Sequence, residues 1–421
     1  MASAITFADD LHWPEFRGPR GDGVSISTGL PVEFGETNHL TWKTAIHGKG
    51  WSSPVIWGRQ IWMTTATDDG HQLFAVCVDR ETGAILRDIP LFAVEKPQFV
   101  HEFNSHASPT PALDDGHAFI SFGATGTACL DSETGKVLWE RRDFECNHFR
   151  GAGSSPILGN GLLYLNFDGS DHQFAVALDQ KTGKTVWRTE RSVDFKDLTP
   201  QGKPEGDGDF RKAFATSQLG TFGGIHQLIS EGSKAIYAYD PMTGKELWQM
   251  DDHTTQAAGT RPAIGLGMVF IPTGWSVGQL VALKPGKSGE VVDANSEAKT
   301  DGQLQLVWKS KRSIPKKPSL TFFEGLLYAI DDNGVATCWD AATGKVIWNE
   351  RIGGNYSASP LLADGHLYFC SEEGKVTVIK AGPEFRKETE TKFDAGFMAS
   401  PAVSGKALYL RSRTHLYRIE N

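Results

Sequence analysis

The chain has 421 residues and a formal net charge of −9. This acidic balance, with no basic run longer than two residues such as Lys316-Lys317, argues against nucleic acid or an anionic membrane surface as the main partner. No apolar stretch approaches the roughly 18 to 20 residues that a transmembrane helix needs. The length exceeds one ordinary core, but repeated units allow a single domain over residues 1–421.

Residues 1–38 are predicted to form an N-terminal arm. The segment from Trp13 to Pro19 is dense in aromatic residues, Pro and Gly, and solvated tails rarely carry Trp and Phe so densely. We therefore expect the arm to pack over one face of the domain. No apolar signal-peptide segment follows Met1, which leaves two interpretations: a cytoplasmic protein, or a mature exported chain that begins with a new Met.

Residues 39–46 are predicted to form a strand that carries Trp42. After it, eight units each begin with a strand, a turn marked by Gly and a second strand, and most of them open with Ser-Pro. The units begin near residues 53, 108, 155, 217, 261, 317, 359 and 400. Four antiparallel strands repeated at intervals of about 40 to 60 residues are typical of β-propeller blades.

A turn motif, Asp-x-x-Thr-Gly, joins the third and fourth strands of most units. Copies begin at residues 131, 179, 240 and 340 and reach a Trp eight residues later, whereas the copy at Asp79 ends on Arg87. The carboxylate can accept N–H groups of the turn, and the Gly supplies the positive φ of a tight hairpin. The Trp is large enough to bridge to the next blade.

Two segments interrupt the repeat. Residues 194–212 form the longest insertion between units, and in the fifth unit Lys284-Pro285-Gly286 replaces the Asp turn. A polar loop is expected over residues 288–303. The last unit has chain for only three strands, so the strand over residues 39–46 is expected to complete it, because a paired edge strand closes the ring. The fold prediction is an all-β, eight-bladed propeller of four-stranded antiparallel blades.

The five cysteines do not predict a disulfide framework or a metal site. Cys77, Cys129 and Cys338 each lie two residues before the Asp of the turn motif, where a small apolar residue fills the third strand. Equivalent positions in different blades are too far apart for the Cα spacing of a disulfide, about 4.4 to 6.8 Å. The number of cysteines is odd and no C-x-x-C occurs, which also disfavours zinc.

The repeated Ala-Leu-Asp-x-x-Thr-Gly-Lys-x-x-Trp pattern resembles the tryptophan-docking motif of quinoprotein propellers. That superfamily includes alcohol dehydrogenases that use pyrroloquinoline quinone (PQQ) and the propeller lipoprotein of the outer-membrane β-barrel assembly machinery. Including the arm, the whole chain most closely resembles bacterial PQQ-binding-like β-propeller repeat proteins. The resemblance implies the propeller fold and a periplasmic or secreted location. It says little about activity, because the motif builds blades and touches no ligand.

The candidate binding residues come from the propeller geometry that this resemblance implies. The first strand of each blade lines the axis, so residues just before the opening pairs are expected to ring one mouth. The candidates are Trp51, His106, Arg150, Arg261, Lys316 and Tyr356. Aromatic and cationic side chains can hold a flat anionic molecule by stacking and charge-assisted hydrogen bonds. The alternative is that they simply fill and hydrate a narrow channel.

No catalytic residue or metal ligand is predicted. Two clusters have residue types that could bind a metal, namely His101, Glu102 and His106, and Asp168, Asp171 and His172, but turn and surface roles are favoured for both. Quinoprotein dehydrogenases that resemble this fold carry adjacent cysteines against the quinone, and this chain has none. No G-x-S-x-G, P-loop or H-E-x-x-H signature is present.

The predicted function is therefore an exported, non-catalytic binding or scaffolding propeller without a cofactor. Its partner is predicted to be another protein or a small anionic ligand at the propeller mouth. The alternative is a PQQ-dependent oxidoreductase, with PQQ and Ca²⁺ on the axis. A hydrolase or lyase that uses the same mouth is a third hypothesis.

Overall fold

In the computed structural model, the described residues are 11–252, 256–275, 278–286, 291–293 and 304–421. They form eight β-sheets that are arranged as the blades of a propeller. Each blade has four antiparallel strands, which follow one another along the chain in every blade except 5 and 8. The predicted all-β, eight-bladed architecture is confirmed. The polar loop is expected over residues 288–303. Only residues 291–293 of this segment are among the described residues.

The strands are numbered in chain order, beginning with β1 (Leu40–Ala45). Blade 1 contains β2 (Val55–Trp57), β3 (Gln60–Ala66), β4 (Gln72–Asp79) and β5 (Ile85–Ala93). Blade 2 contains β6 (Ala112–Asp114), β7 (His117–Ser121), β8 (Thr127–Asp131) and β9 (Val137–Arg141). Blade 3 contains β10 (Ile157–Gly159), β11 (Leu162–Asp168), β12 (Gln173–Asp179) and β13 (Thr185–Glu190). Blade 4 contains β14 (Gln218–Phe222), β15 (Ile225–Glu231), β16 (Ala235–Tyr239) and β17 (Glu246–Asp251).

The second half repeats this arrangement. Blade 5 contains β18 (Ala263–Gly265), β19 (Met268–Pro272), β20 (Leu280–Lys284) and β22 (Gln305–Ser310), while β21 (Val291–Asp293) pairs in parallel with β17 of blade 4. Blade 6 contains β23 (Thr321–Phe323), β24 (Leu326–Ile330), β25 (Val335–Asp340) and β26 (Val346–Arg351). Blade 7 contains β27 (Leu361–Ala363), β28 (His366–Cys370), β29 (Lys375–Lys380) and β30 (Lys387–Lys392). Blade 8 contains β31 (Ala402–Ser404), β32 (Ala407–Arg411) and β33 (His415–Glu420).

The two ends of the chain close the ring together. Strand β1 pairs antiparallel with β33, with Lys43 opposite Tyr417, and becomes the fourth strand of blade 8. This confirms the predicted closure by an N-terminal strand. Within the described part of the chain, no helix is long and apolar enough to cross a membrane. Two short 3-10 turns within Glu205–Arg211, separated by a kink with positive φ at residues 206–208, lie in the insertion between blades 3 and 4.

The tryptophans of the fourth strands link neighbouring blades. Trp187 donates its indole N–H to the carbonyl of Pro241, at 2.8 Å, in the turn of the next blade. Its ring covers Gly244, whose φ is +69° and where a Cβ would lie 2.5 Å from the ring. Equivalent N–H bonds to the residue after the turn's Asp are made by Trp42, Trp139 and Trp308. The turn residues thus form both a hairpin and the receptor for a neighbouring indole.

Trp248 is the exception among these tryptophans. Its N–H donates to Oε1 of Gln227 within its own blade, at 2.8 Å, because blade 5 carries Lys284-Pro285-Gly286 in place of the Asp turn. The indole still packs in the apolar cluster shared by blades 4 and 5, which includes Val269 and Val281. This interface keeps its apolar contacts but lacks the polar link found elsewhere.

A ring of hydrogen bonds joins the blades at the axis. Each blade has a ring position, which is the residue two positions before its first strand. The backbone N–H at this position donates to the side-chain hydroxyl of the Ser or Thr at the ring position of the next blade. These bonds, at 2.9 to 3.0 Å, run from Ser53 to Thr110, Thr110 to Ser155, Ser155 to Thr216, Arg261 to Ser319, Ser319 to Ser359, Ser359 to Ser400 and Ser400 to Ser53. In the units expected to begin near residues 108, 217 and 317, the residues that accept this bond are Thr110, Thr216 and Ser319.

The N-terminal arm, whose residues 1–10 lie outside the described part of the chain, closes one end of the axis from residue 11 onwards. Trp13 forms a β-bridge with Ile56 of blade 1, and the carbonyl of Gly23 accepts the N–H of Leu362 of blade 7. The other blades are reached through Leu113, Leu158, Gln218, Arg261, Leu320 and Ser404. The arm therefore contacts the inner edge of all eight blades and packs over one face, as its aromatic composition predicted.

The docking of Trp187 gives a stability prediction. We expect Trp187→Ala to lower the free energy of unfolding by about 3 to 5 kcal/mol, because a large buried side chain and an interblade hydrogen bond are lost together. Val186→Ala is the matched control, since the Val186 side chain is 48% exposed and should cost within about 0.5 kcal/mol. Denaturant unfolding followed by far-UV circular dichroism, which does not rely on tryptophan fluorescence, measures both free energies of unfolding. Equal losses of free energy in the two variants would contradict the docking role.

Ring closure gives a second prediction. Deleting residues 1–46 removes the arm and β1, which leaves the outer edge of β33 unpaired. We expect the truncated protein to aggregate or to unfold without cooperativity, as measured by size-exclusion chromatography and thermal melting. A truncated protein that stays monomeric and melts like the full chain would show that closure contributes little.

Candidate functional site

A cavity of about 480 Å³ lies on the propeller axis, at the end opposite the arm. Its wall is formed by residues just before the first strands, and Phe16 of the arm lies at its base. Five hydroxyl residues of the interblade ring line it: Ser53, Thr110, Ser155, Thr216 and Ser400. The cavity is therefore a pocket with one open mouth, because the arm blocks the other end of the channel.

The structure places three of the six predicted site residues in this wall, namely Trp51, Arg150 and Lys316. The other three face elsewhere. The His106 ring packs against Gly70, and burial lowers the pKa of this half-buried imidazole. Tyr356 is fully buried in an apolar cluster, and burial raises the pKa of its hydroxyl.

Arg261 points towards the arm rather than into the cavity. Its Nη2 donates to the Glu15 carboxylate at 2.6 Å, and its Nη1 donates to the carbonyl of Phe16. Arg261 occupies the hydroxyl position of the ring in blade 5, where the longer side chain reaches past the ring to the arm. It therefore stabilises the closed end of the channel.

Four cationic side chains line the cavity: Arg150, Lys212, Lys316 and Lys317. Asp209 is the one carboxylate among the described lining residues. It contacts the ammonium group of Lys212 and lies 3.7 Å from Arg150. Burial lowers the pKa of Lys212 to about 8, and Arg150 acts in the same direction. Sequence reasoning missed Lys212 and Asp209, because both come from the insertion at residues 194–212.

Two of these cations already have strong partners. Lys317 pairs with Glu372 at 2.8 Å and lies 3.6 Å from Asp332. Lys316, in contrast, holds its ammonium group 4.7 Å from the centre of the Trp275 ring. Within the described part of the chain, neither Lys316 nor Arg150 has a carboxylate at hydrogen-bond distance. Each can therefore receive an acidic group from a ligand.

Buried arginines add positive charge beside the cavity. Arg411 donates to the carbonyls of Ser52 and Thr64, each at 2.8 Å, and burial lowers its pKa to about 9. Arg17 in the arm donates to the carbonyl of Leu320 at 2.6 Å, and burial likewise lowers its pKa to about 9. Both guanidinium groups remain charged at pH 7. They add two buried positive charges near the axis of a protein whose net charge is −9.

Cys146 and His148 form a buried pair whose geometry opposes nucleophilic catalysis. The sulfur lies 3.8 Å from Nδ1, while Nε2 accepts the N–H of Ala124 at 3.0 Å. Nδ1 then carries the proton of the neutral ring, so the imidazole has no free acceptor for the thiol hydrogen. Burial raises the pKa of Cys146 and lowers that of His148 to about 4. The thiol is therefore protonated and inert.

Neither of the two candidate metal clusters, His101 with Glu102 and His106 or Asp168 with Asp171 and His172, forms a metal-binding group. Asp168 is held by Arg191 through two bonds of 2.8 and 2.7 Å in a buried pair. Among the described residues, no group of three or more His, Cys, Asp or Glu side chains could hold a metal ion. All five cysteines are free and buried, and Cys77, Cys129 and Cys338 lie in third strands as predicted.

Comparison with protein families matches residues 74–210 and 288–382, more than half of the chain, to the family described as outer membrane protein assembly factor BamB. BamB of Yersinia pestis is 24% identical over 300 residues, which cover 67% of this chain and 65% of that protein. The dehydrogenase subunit of the quinone alcohol dehydrogenase of Acetobacter aceti is 28% identical over 150 residues, 35% of this chain and 20% of that protein. The chain thus spans less than two thirds of the length of these curated relatives.

Among solved structures, the quinohemoprotein alcohol dehydrogenase ADHIIG of Pseudomonas putida HK5 superposes with a TM-score of 0.64. The match covers 100% of this chain and 82% of that one at 13% sequence identity. At this identity, the likeness establishes the propeller fold and leaves the activity to be argued from the site.

The buried His148 predicts a pH dependence of stability. Its pKa is about 4 in the folded protein and about 6.5 in an unfolded chain, so the unfolded state binds the proton first. Stability should therefore fall by about 3 kcal/mol as the pH drops from 6.5 to 4. We expect His148→Gln, whose amide oxygen can still accept the N–H of Ala124, to flatten this slope in urea unfolding. The exposed His226→Gln control should leave the slope unchanged.

Proposed function

This chain belongs to the family of the outer membrane protein assembly factor BamB, and from that membership we propose that it is a non-catalytic binding propeller which takes an anionic ligand into its axial cavity. The observation that carries this proposal is the excess of positive charge around the cavity. Among the described residues, four cations and one carboxylate line the wall, and two further arginines are buried near it. Such a concave positive site concentrates anions and strengthens their hydrogen bonds.

Arg150 and Lys316 are the proposed contacts for the ligand's acidic groups. They project from the approaches to blades 3 and 6, three blades apart around the ring, and the Arg150 side chain is 39% exposed. Apolar contact would come from Trp275 and Phe103, which both line the cavity. Trp51 positions this wall, because its indole N–H donates to the carbonyl of Phe103 at 2.9 Å.

The residues of the cavity do not fit PQQ with a calcium ion. That cofactor needs a cation held by carboxylate or amide oxygens beside its reactive carbonyl. Asp209, the one carboxylate among the described lining residues, is already in contact with Lys212, and the amide oxygen of Asn104 already accepts hydrogen bonds from Ser105 and Ser108. The five cysteines lie in separate strands and loops, so no adjacent pair can cover the quinone. No oxidation step is therefore assigned to this chain.

Location and protein partners form a second part of the proposal. We propose export to the periplasm or beyond, which the name of the family supports. Phe99 and Leu198, exposed by 70% and 63%, lie in the two segments that also supply Phe103 and Lys212 to the cavity wall, and they would offer apolar contact to a protein partner. The name of the Yersinia pestis relative describes an assembly factor, which makes a scaffolding role reasonable beside ligand binding.

Calorimetry with benzoate, citrate and inorganic phosphate tests the anion site. We expect binding that weakens with salt, and a loss of about tenfold or more in affinity for Arg150→Gln and for Lys316→Gln, as for other hydrogen bonds to charged groups. Arg386→Gln and Lys136→Gln are matched controls on the outer surface and should bind like the unchanged protein. Binding of none of the three anions would contradict the proposal.

The dehydrogenase alternative is tested in the same protein. We expect no dye reduction with a panel of alcohols and aldoses in the presence of PQQ and Ca²⁺, because the one carboxylate of the described wall, Asp209, already contacts Lys212. Submicromolar PQQ binding together with turnover would overturn the proposal and establish the oxidoreductase function.

A further inference from the structure

The hydroxyl ring leaves a set of hydrogen-bond donors facing the cavity. The oxygens of Ser53, Thr110, Ser155, Thr216 and Ser400 each accept a backbone N–H from the preceding blade. Among the described residues, none of their five hydroxyl hydrogens has an acceptor. These side chains are only 2 to 6% exposed, and all five line the cavity.

Other hydroxyls in the same wall are satisfied within the protein. Ser108 donates to the amide oxygen of Asn104 at 2.5 Å, and Ser357 donates to the Glu372 carboxylate at 2.6 Å. The open donors are therefore a property of the interblade ring and not of every hydroxyl in the cavity. They belong to blades 8, 1, 2, 3 and 4, which are consecutive, so they form a continuous arc along one side of the wall. We call this set the hydroxyl arc.

A buried O–H without an acceptor raises the free energy of the protein unless a ligand or water supplies an oxygen. Several such donors along one side match a molecule with several acceptor oxygens along one edge. The cations Arg150 and Lys316 add the requirement for an acidic group, and the aromatic rings of Phe103 and Trp275 can pack against its carbon skeleton. A polyhydroxylated acid combines these features, whereas an aromatic monoacid leaves most of the arc unpaired.

We infer that the anionic ligand of this cavity is an acidic sugar, whose oxygens accept hydrogen bonds from the hydroxyl arc and whose acid group is bound by Arg150 or Lys316. This inference rests on the proposed anion-binding function and specifies its ligand class. A carboxylate and a phosphate satisfy the same donors, so sugar acids and sugar phosphates share the required chemistry.

Four probes separate these possibilities by calorimetry: glucuronate, glucose 6-phosphate, glucose and benzoate. We expect at least one of the two acidic sugars to bind about tenfold or more tightly than both glucose and benzoate. Glucose lacks the acid group, and benzoate lacks the sugar oxygens that would accept hydrogen bonds from the hydroxyl arc. Comparing the affinity for glucuronate with that for glucose 6-phosphate shows whether the site prefers a carboxylate or a phosphate. Benzoate binding as tightly as both acidic sugars would overturn this inference and leave the anion site standing. Binding of no acid would overturn both.

The ring itself supplies matched control variants. Ser319 and Ser359 accept an interblade N–H in the same way, at 2.9 Å, but do not line the cavity. Ser155→Ala and Ser359→Ala should therefore lower the melting temperature by similar amounts. Only Ser155→Ala is expected to weaken acidic-sugar binding, by about tenfold, with benzoate affinity unchanged. Equal affinity losses in both variants would mean that the arc acts through stability alone.

A second pair changes the hydroxyl at one position of the arc. Thr216→Ser retains the hydroxyl and should retain affinity, whereas Thr216→Val keeps the shape but removes the donor together with the oxygen that accepts the Ser155 N–H, so its loss of stability is compared with that of Ser359→Ala. We expect only the Val variant to lose acidic-sugar affinity. Unchanged affinity in both Thr216→Val and Ser155→Ala would show that the arc is hydrated by water and does not contact the ligand.

Discussion

The propeller depends on the hydrogen bond that one blade makes with the next at the axis. The N–H of Ser400 bonds to the hydroxyl of Ser53 at 3.0 Å, which joins two ends of the chain around the closed ring. Without this acceptor, a buried N–H group would have no partner. Because five of the seven accepting hydroxyls also line the cavity, these atoms both hold neighbouring blades together and face a ligand. Fold and site are therefore built from one repeated contact.

The interface between blades 4 and 5 shows how the protein manages without that contact. Arg261 has no hydroxyl to accept the N–H of the preceding blade, and Trp248 bonds to Gln227 in its own blade. The Arg261 guanidinium instead pairs with Glu15 of the arm. The arm is thus part of the ring's polar framework at this interface, in addition to closing the channel.

The positive axis has an energetic cost that points to a ligand. Burying Arg17 and Arg411 removes them from water. The oxygens that accept their hydrogen bonds are neutral carbonyls and hydroxyls, and together with the Asp22 carboxylate near Arg17 they offset only part of the desolvation. Their remaining charge raises the potential in a cavity that also contains Arg150 and Lys316. An anion in the cavity would lower this electrostatic free energy, and acceptor oxygens would satisfy the hydroxyl arc. Both effects favour the same kind of molecule.

The repeat by itself determined the blades, the closing strand and the role of the cysteines, because hairpin turns and strand periodicity depend on residues close in sequence. It also identified Trp51, Arg150 and Lys316 as wall residues. Only the tertiary structure decided that His106, Arg261 and Tyr356 lie outside the cavity wall, since a shift of one residue in an extended segment turns a side chain to the opposite side. The contributions of Lys212 and the hydroxyl arc likewise depended on ring closure, which brings together segments that no local pattern connects.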